Sequence, residues 1–462
     1  MGDVLRAAGL LLAAFVAGCG CGEPLVADAG RDAGEADSGR DASADGGSDA
    51  GRDGGLDAGS VPGWRRVEGL PEPCPVWVAD DPGAVLPPLR FEPCPGRAEG
   101  CRQVVVDWPV LDEPSTLRPR FGLRRQHYVD GERTLFGYRR NSPPWQGDYE
   151  YYVVAAASGE HLAVVRTLPP TREQLESPID WCGATSIAPG PDGYVFMVSE
   201  IREPGTNSYI ARARYDDPGG VERLWEPPGS TTRSAEIADT SYEVTAVTAL
   251  FPEEALYLTG SEAVTVCPAG PGTPYCTIGG VVEQHMIMSA NDESGWRVVV
   301  TGPGDATFRD LIDTPDADDR VPRADGEHIV WMHGVYPYVG GRPSRTELWA
   351  SPYAIEPGGV APRFINRLNV RGPNAGIGVG NGWAWTLERE AELDTSDVIS
   401  VFHDLATGER RVFHYPAREK PMEAVYLGSD EVGIGVLPFG SFQDAKTLRF
   451  IRYDSLPVEA AP

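Results

Sequence analysis

The sequence predicts an all-β protein, a six-bladed β-propeller carried behind a disordered N-terminal tether. Three observations lead there. From about residue 120, short runs rich in Val, Ile, Tyr and Trp alternate with Gly, Pro and Asp turns, with scarcely any helical periodicity. A turn followed by an apolar strand recurs, with starts near 130, 192, 252, 325, 381 and 429. A further hairpin follows five of these starts, giving four strands in roughly 50–70 residues, the proportions of a propeller blade. Seven blades, or stacked β-sandwiches, are the alternatives.

Taken in order, the turn Asp130-Gly131 precedes Thr134–Tyr138, Asp192-Gly193 precedes Tyr194–Val198, and Pro252–Glu254 precedes Ala255–Leu258. The pattern returns at Asp325-Gly326 before His328–Met332, at Asn381-Gly382 before Trp383–Leu387, and at Ser429-Asp430 before Val432–Leu437. Hairpins follow at Ser158-Gly159, Pro218-Gly219-Gly220, Gly295, Pro357-Gly358-Gly359 and Thr407-Gly408. The last unit has only Thr447–Tyr453 before the chain ends. An N-terminal strand is expected to complete it and close the ring, and Val104–Val106 is the candidate. The expected divisions are 1–18, a signal peptide; 19–62, a linker; 63–120, a cysteine-containing segment that supplies the closing strand; and 121–462, the propeller.

The N-terminus carries Arg6, an apolar run from Ala7 to Val16 and the small residues Ala17 and Gly18, the layout of a secretory signal. The run is shorter than the ~20 residues a membrane-spanning helix needs. Asp3 departs from the usual positive start, and Cys21 is a poorer match to a cleavage site than Cys19. The tetrapeptide Val16-Ala17-Gly18-Cys19 resembles the bacterial lipobox, which implies that Cys19 is lipidated and begins the mature chain. With Gly20 after it, that resemblance implies an outer-membrane or cell-surface location in the envelope.

Asp28, Asp32, Asp37, Asp41, Asp45, Asp49, Asp53 and Asp57 follow at intervals of four with one interval of five, separated almost wholly by Ala, Gly, Ser and Arg. Such a stretch has no large apolar side chains to offset the entropy of ordering it, so a flexible, self-repelling linker is expected. A calcium loop needs alternating oxygen ligands closed by a distal Glu, which a spacing of four does not provide. Asp-rich tethers of this kind resemble those of myxobacterial-type lipoproteins.

The formal net charge is −28. Ten acids against Arg31, Arg40 and Arg52 give −7 between residues 20 and 62, and Asp3 cancels Arg6, which leaves −21 on the rest. That excludes nucleic acid as an expected partner. Only two lysines occur, Lys420 and Lys446, so a Schiff-base mechanism has few candidates. Beyond Cys19 and Cys21 there are six cysteines, an even number in an exported chain. A Cys267–Cys276 disulfide across a turn-rich loop is the first expectation. Cys94–Cys101 with Cys74–Cys182 is the second, and Cys74–Cys94 with Cys101–Cys182 remains open. No CxxC pair favours zinc.

No catalytic motif is present: no H-E-x-x-H, no P-loop, no G-x-S-x-G. His328 and His333, five apart on one strand, point to opposite faces and read as blade residues. The cluster Asp310, Asp313, Asp316, Asp318 and Asp319 is the one place where an ion has weak candidates, calcium on Asp313, Asp316 and Asp318; no other cofactor is expected. Trp331, Trp349, Trp383 and Trp385 fall within strands, where they pack blade on blade or hold a glycan or peptide. The phrases Ala188-Pro189-Gly190-Pro191-Asp192-Gly193 and Arg323-Ala324-Asp325-Gly326 are similar to the P-D-G turn of TolB-like propellers, which implies a role in an envelope complex. The expectation from the residues is a monomeric, lipid-anchored binding or scaffolding module. It reaches the membrane through its N-terminal lipid and takes a protein, peptide or glycan partner, without catalytic residues. A glycoside hydrolase or lyase with paired carboxylates is the alternative.

Overall fold

In the computed structural model the described residues are 63–69, 76–96, 99–105, 128–130, 133–141, 150–167, 179–190, 192–202, 205–225, 235–240, 244–250, 253–259, 262–268, 274–292, 295–315, 317–339, 342–356, 358–370, 376–389, 398–415, 419–427, 431–438 and 447–459. The chain divides into two units, Met1–Gly59 and Ser60–Pro462, and every described residue belongs to the second. Cys19, the expected signal peptide and the Asp-rich linker therefore lie outside the described residues.

Seven antiparallel sheets follow one another, and in the first six the four blade strands pair in sequence order. Blade 1 holds Tyr128–Asp130, Arg133–Asn141, Glu150–Ala156 and His161–Thr167; blade 2 holds Ile179–Pro189, Gly193–Arg202, Gly205–Arg214 and Glu222–Trp225. Blade 3 holds Ala235–Thr240, Val244–Leu250, Glu253–Thr259 and Glu262–Cys267; blade 4 holds Tyr275–Val282, His285–Asp292, Gly295–Thr301 and Arg309–Ile312. Blade 5 is Ala317–Ala324, His328–Val339, Arg342–Pro352 and Arg363–Leu368; blade 6 is Ile377–Gly380, Trp383–Arg389, Val398–Asp404 and Arg410–His414. Blade 7 takes Glu419–Leu427, Glu431–Pro438 and Thr447–Arg452 from the C-terminal end and Cys101–Val105 from the N-terminal end.

The expectation of six blades is thus corrected to seven. In blades 1, 2, 5, 6 and 7 the recurring turn joins the first strand to the second. The turn at Pro252–Glu254 instead precedes the third strand of blade 3. The unit read from there to residue 325 contains the end of blade 3 and the whole of blade 4. Blade 4 escaped notice because its first turn, Glu283-Gln284, has neither Gly nor Asn, although Glu283 takes a positive φ of 53°. By contrast, Asn381-Gly382 has both φ values positive, 52° and 78°, the two-residue turn that an Asn-Gly pair favours.

Alternation of side chains along the strands builds the core as apolar layers between neighbouring blades. Val330, Met332, Leu348 and Ala350 face Ile377, Val379 and Ala384 of blade 6, whereas Ile329 and Trp331 on the other side of the same sheet meet Ile287, Val298 and Val300 of blade 4. The close approach of blades 4 and 5 requires Gly279, where a Cβ would lie 2.5 Å from the Pro322 carbonyl oxygen.

The segment from Trp64 to Val105 forms a strap over the junction of the first and last blades. Trp64–Arg66 and Val76–Ala79 extend the outer edge of blade 1, and Arg90–Pro93 and Cys101–Val105 extend blade 7. Between them a single helical turn, Pro82–Val85, is capped by Asp81, whose carboxylate accepts from Ala84 N at 3.2 Å. Trp64, Trp77, Leu86, Leu89 and Val104 of the strap share one buried cluster with Phe136 and Tyr138 of blade 1 and Leu448 and Phe450 of blade 7. At the other end, Val458–Glu459 adds a fifth strand to blade 6.

Candidate functional site

A concentration of buried and half-buried charged side chains lies where blade 5 meets its neighbours. Its inner strand begins at Ala317, beside Val335, while the second and third strands run on to pair Val339 with Arg342. Their hairpin projects past the inner strand on the face of the ring where inner strands begin. One row across this sheet places Asp319, His333 and Glu347 directly opposite one another.

Asp319 is fully buried, and its carboxylate accepts from His333 Nδ1 at 2.8 Å, Trp331 Nε1 at 2.8 Å and Thr314 N at 3.2 Å. Three donors satisfy the charge that burial would otherwise penalise. They also orient the imidazole, whose Nε2 takes no hydrogen bond among the described residues. The ring of His333 lies 4.7 Å from that of Trp349, and Trp349 Nε1 donates to Glu347 at 2.8 Å. Glu347 is buried and pairs with Arg345, which is half exposed.

A second group abuts this one through adjacent residues. Asp318 accepts from Trp296 N at 3.2 Å and pairs with Arg320, whose guanidinium lies 4.6 Å over the Trp296 ring. Tyr275, 51% exposed, meets Trp296 edge to face at 5.9 Å. Arg297 bridges Asp292 and Asp310. Partial burial works against its charge, but the two carboxylates outweigh that and raise its pKa above the ordinary arginine value.

A different polar cluster cements blade 6 to blade 5. Thr386 Oγ1 lies 2.9 Å from both Glu388 Oε1 and His403 Nε2, and Asn366 of blade 5 lies 3.0 Å from His403 Nδ1. Asn369 N donates to Glu388 Oε2 at 3.0 Å, with Arg410 at 3.7 Å. Burial would push the Glu388 carboxyl up, yet His403, Asn369 and Arg410 together hold it below its ordinary value. A hydroxyl, an imidazole and a carboxylate in contact resemble a nucleophilic set, but Thr386, Glu388 and His403 are all buried within the blades and present no surface to a substrate.

The residues singled out from sequence fare unevenly. Cys267–Cys276 and Cys94–Cys101 are disulfides, with Cα separations of 6.3 Å and 5.4 Å. The alternative Cys74–Cys94 with Cys101–Cys182 is thereby corrected: Cys94 and Cys101 close a hairpin whose ends already share the Cys94 N to Cys101 O bond. Cys74 and the Cys182 side chain lie outside the described residues, as does Asp316. Asp313 is exposed, Asp318 is bound to Arg320, and Asp310 to Arg297. Among the described residues no group of three or more His, Cys, Asp and Glu is arranged to hold a metal. Sequence reasoning missed the Asp319–His333–Glu347 row; only the strand register, set by a hairpin centred near residue 340, could have found it.

These features define a seven-bladed β-propeller. Among solved structures, the chain is similar to an oligogalacturonate lyase in complex with manganese, at 10% identity over 80% of this chain and 97% of that one, with a TM-score of 0.46. It is also similar to the β-propeller domain of the trilobed protease from Pyrococcus furiosus, at 10% identity over 74% and 97% of the two chains and a TM-score of 0.45. TolB from Acinetobacter baumannii matches at 10% identity over 71% and 81%, with a TM-score of 0.32. No family model and no curated protein matches the chain.

Proposed function

We propose that this protein is a lipid-anchored extracytoplasmic binding or scaffolding module, a propeller displayed on a flexible tether from Cys19. One observation carries the reading: the strap that begins directly after the Asp-rich stretch, Trp64 to Val105, is built into both blades at the ring seam. A pull transmitted through residues 20–62 would then be borne by strand pairs and a buried apolar cluster. That suits a platform that must hold its shape while tethered. The polar side chains on the face where inner strands begin are held in defined pairs, which suits recognition. The test is affinity capture from the solubilised cell envelope with the full chain as bait. A saturable envelope component retained after washing is the expected result. Recovery of nothing beyond a mock bait would overturn the reading.

A further inference from the structure

We propose that the junction of blades 4 and 5, on the face where the inner strands begin, is a binding site for a neutral, hydroxyl-rich glycan. This rests on the binding-module reading and names its ligand class.

The pairing of charges is the first argument. Arg345 pairs with Glu347, Arg320 with Asp318, and Arg297 with both Asp292 and Asp310, so each of these guanidinium groups already faces a carboxylate, and with Asp319 the acids outnumber the arginines five to three. An anionic ligand would meet that surplus of carboxylates and would have to displace one of them from its arginine. Sugar hydroxyls can instead donate to a carboxylate and accept from a guanidinium with the pair intact, and Arg345 and Asp310 are exposed enough to offer both.

The aromatic side chains are the second. Tyr275 is half exposed, Trp296 and Trp349 are partly exposed, and each is fixed: Tyr275 on Trp296, Trp296 under Arg320, and Trp349 through its Nε1 on Glu347. Rigid rings at a surface offer flat apolar area at little entropic cost, the complement of a sugar's C–H face. His333, buried with Nδ1 turned to Asp319, packs its ring 4.7 Å from that of Trp349 and helps hold it in place. A peptide docks on an open strand edge or in an apolar pocket. At this junction Ile287, Val298 and Trp331 are fully buried.

The test uses the full chain in detergent on a printed array of neutral hexasaccharides (cello-, malto-, laminari- and manno-) beside hexagalacturonate and a random dodecapeptide set. Tyr275→Ala and Arg345→Ala, at exposed positions, are compared with Phe364→Ser on the outer strand of blade 5, and thermal melting verifies the fold of each. Binding of a neutral oligosaccharide, weakened roughly tenfold or about 1.4 kcal/mol by each site variant and unchanged by Phe364→Ser, is the expected result. Binding of peptides or hexagalacturonate alone overturns the glycan site and leaves the binding module standing. So does neutral-glycan binding that ignores both site variants. An array with no signal overturns the glycan site, and an empty envelope capture beside it overturns the module as well.

Discussion

Arg102 and Glu431 meet across the ring seam, with Nη2 of the arginine donating to Oε1 of the glutamate at 2.6 Å, although the two lie near opposite ends of the chain. The same guanidinium donates to the Ala157 carbonyl at 2.9 Å and lies 4.3 Å and 4.6 Å over the rings of Phe91 and Phe450. One side chain thus ties the strap, blade 1 and blade 7. Arg102→Ala is expected to destabilise the fold by about 2–3 kcal/mol and Glu431→Ala by less, because the arginine also loses its stacking and carbonyl contacts. A double-mutant cycle by urea unfolding should give a coupling of about 1 kcal/mol. Strict additivity would remove the pair from the seam's support.

The Cys94–Cys101 disulfide staples the outermost hairpin of blade 7, whereas Cys267–Cys276 joins the outer strand of blade 3 to the inner strand of blade 4. Loop closure assigns each small ring about 2.5 kcal/mol. Replacing both cysteines by serine should have different local effects. Loss of Cys94–Cys101 is expected to expose the strap to limited proteolysis between residues 90 and 105 before the ring unfolds. Loss of Cys267–Cys276 should direct early cleavage to the loop between blades 3 and 4. Identical cleavage patterns would count against this assignment.

Glu388, buried and held below its ordinary pKa, makes stability depend on pH. The group's contribution is fully present above the ordinary carboxylate value of about 4.3 and is lost as pH falls through its lower folded value. Glu388→Gln should therefore lower the melting temperature clearly at about pH 7 and progressively less toward about pH 3. Glu388→Ala, which removes one partner of Arg410 and His403 while Glu459, Asn366 and Thr386 remain beside them, is expected to cost about 1–3 kcal/mol at neutral pH. A melting difference that grows on acidification would contradict the sign.

Gly382 has φ of 78° with nothing within 4 Å of a Cβ placed there, so its substitution tests backbone strain alone. Gly382→Val is expected to cost about 1–2 kcal/mol in chemical unfolding, while Asn381→Gly should be close to neutral.

The all-β class was legible because turn residues and apolar runs alternate at strand length, and five of the blade turns announce themselves through Gly, Asp or Asn. Blade number was not, because Glu283 occupies a positive-φ turn position that its chemistry does not advertise. Both described disulfides follow loops short enough to read. The polar rows did not show in sequence: His333 and Glu347 are fourteen positions apart and meet only once the hairpin fixes their register, and His403 and Asn366 meet across two blades. Such contacts depend on sheet register and blade order, which composition and local periodicity do not encode.

The central claim, a propeller held at the envelope through Cys19, is tested most directly by intact-mass analysis and fractionation of the wild-type chain beside Cys19→Ser. The account predicts acyl mass on a mature chain beginning at Cys19, partitioning with membranes, and loss of both in the variant. Soluble, unacylated protein in both cases would contradict it.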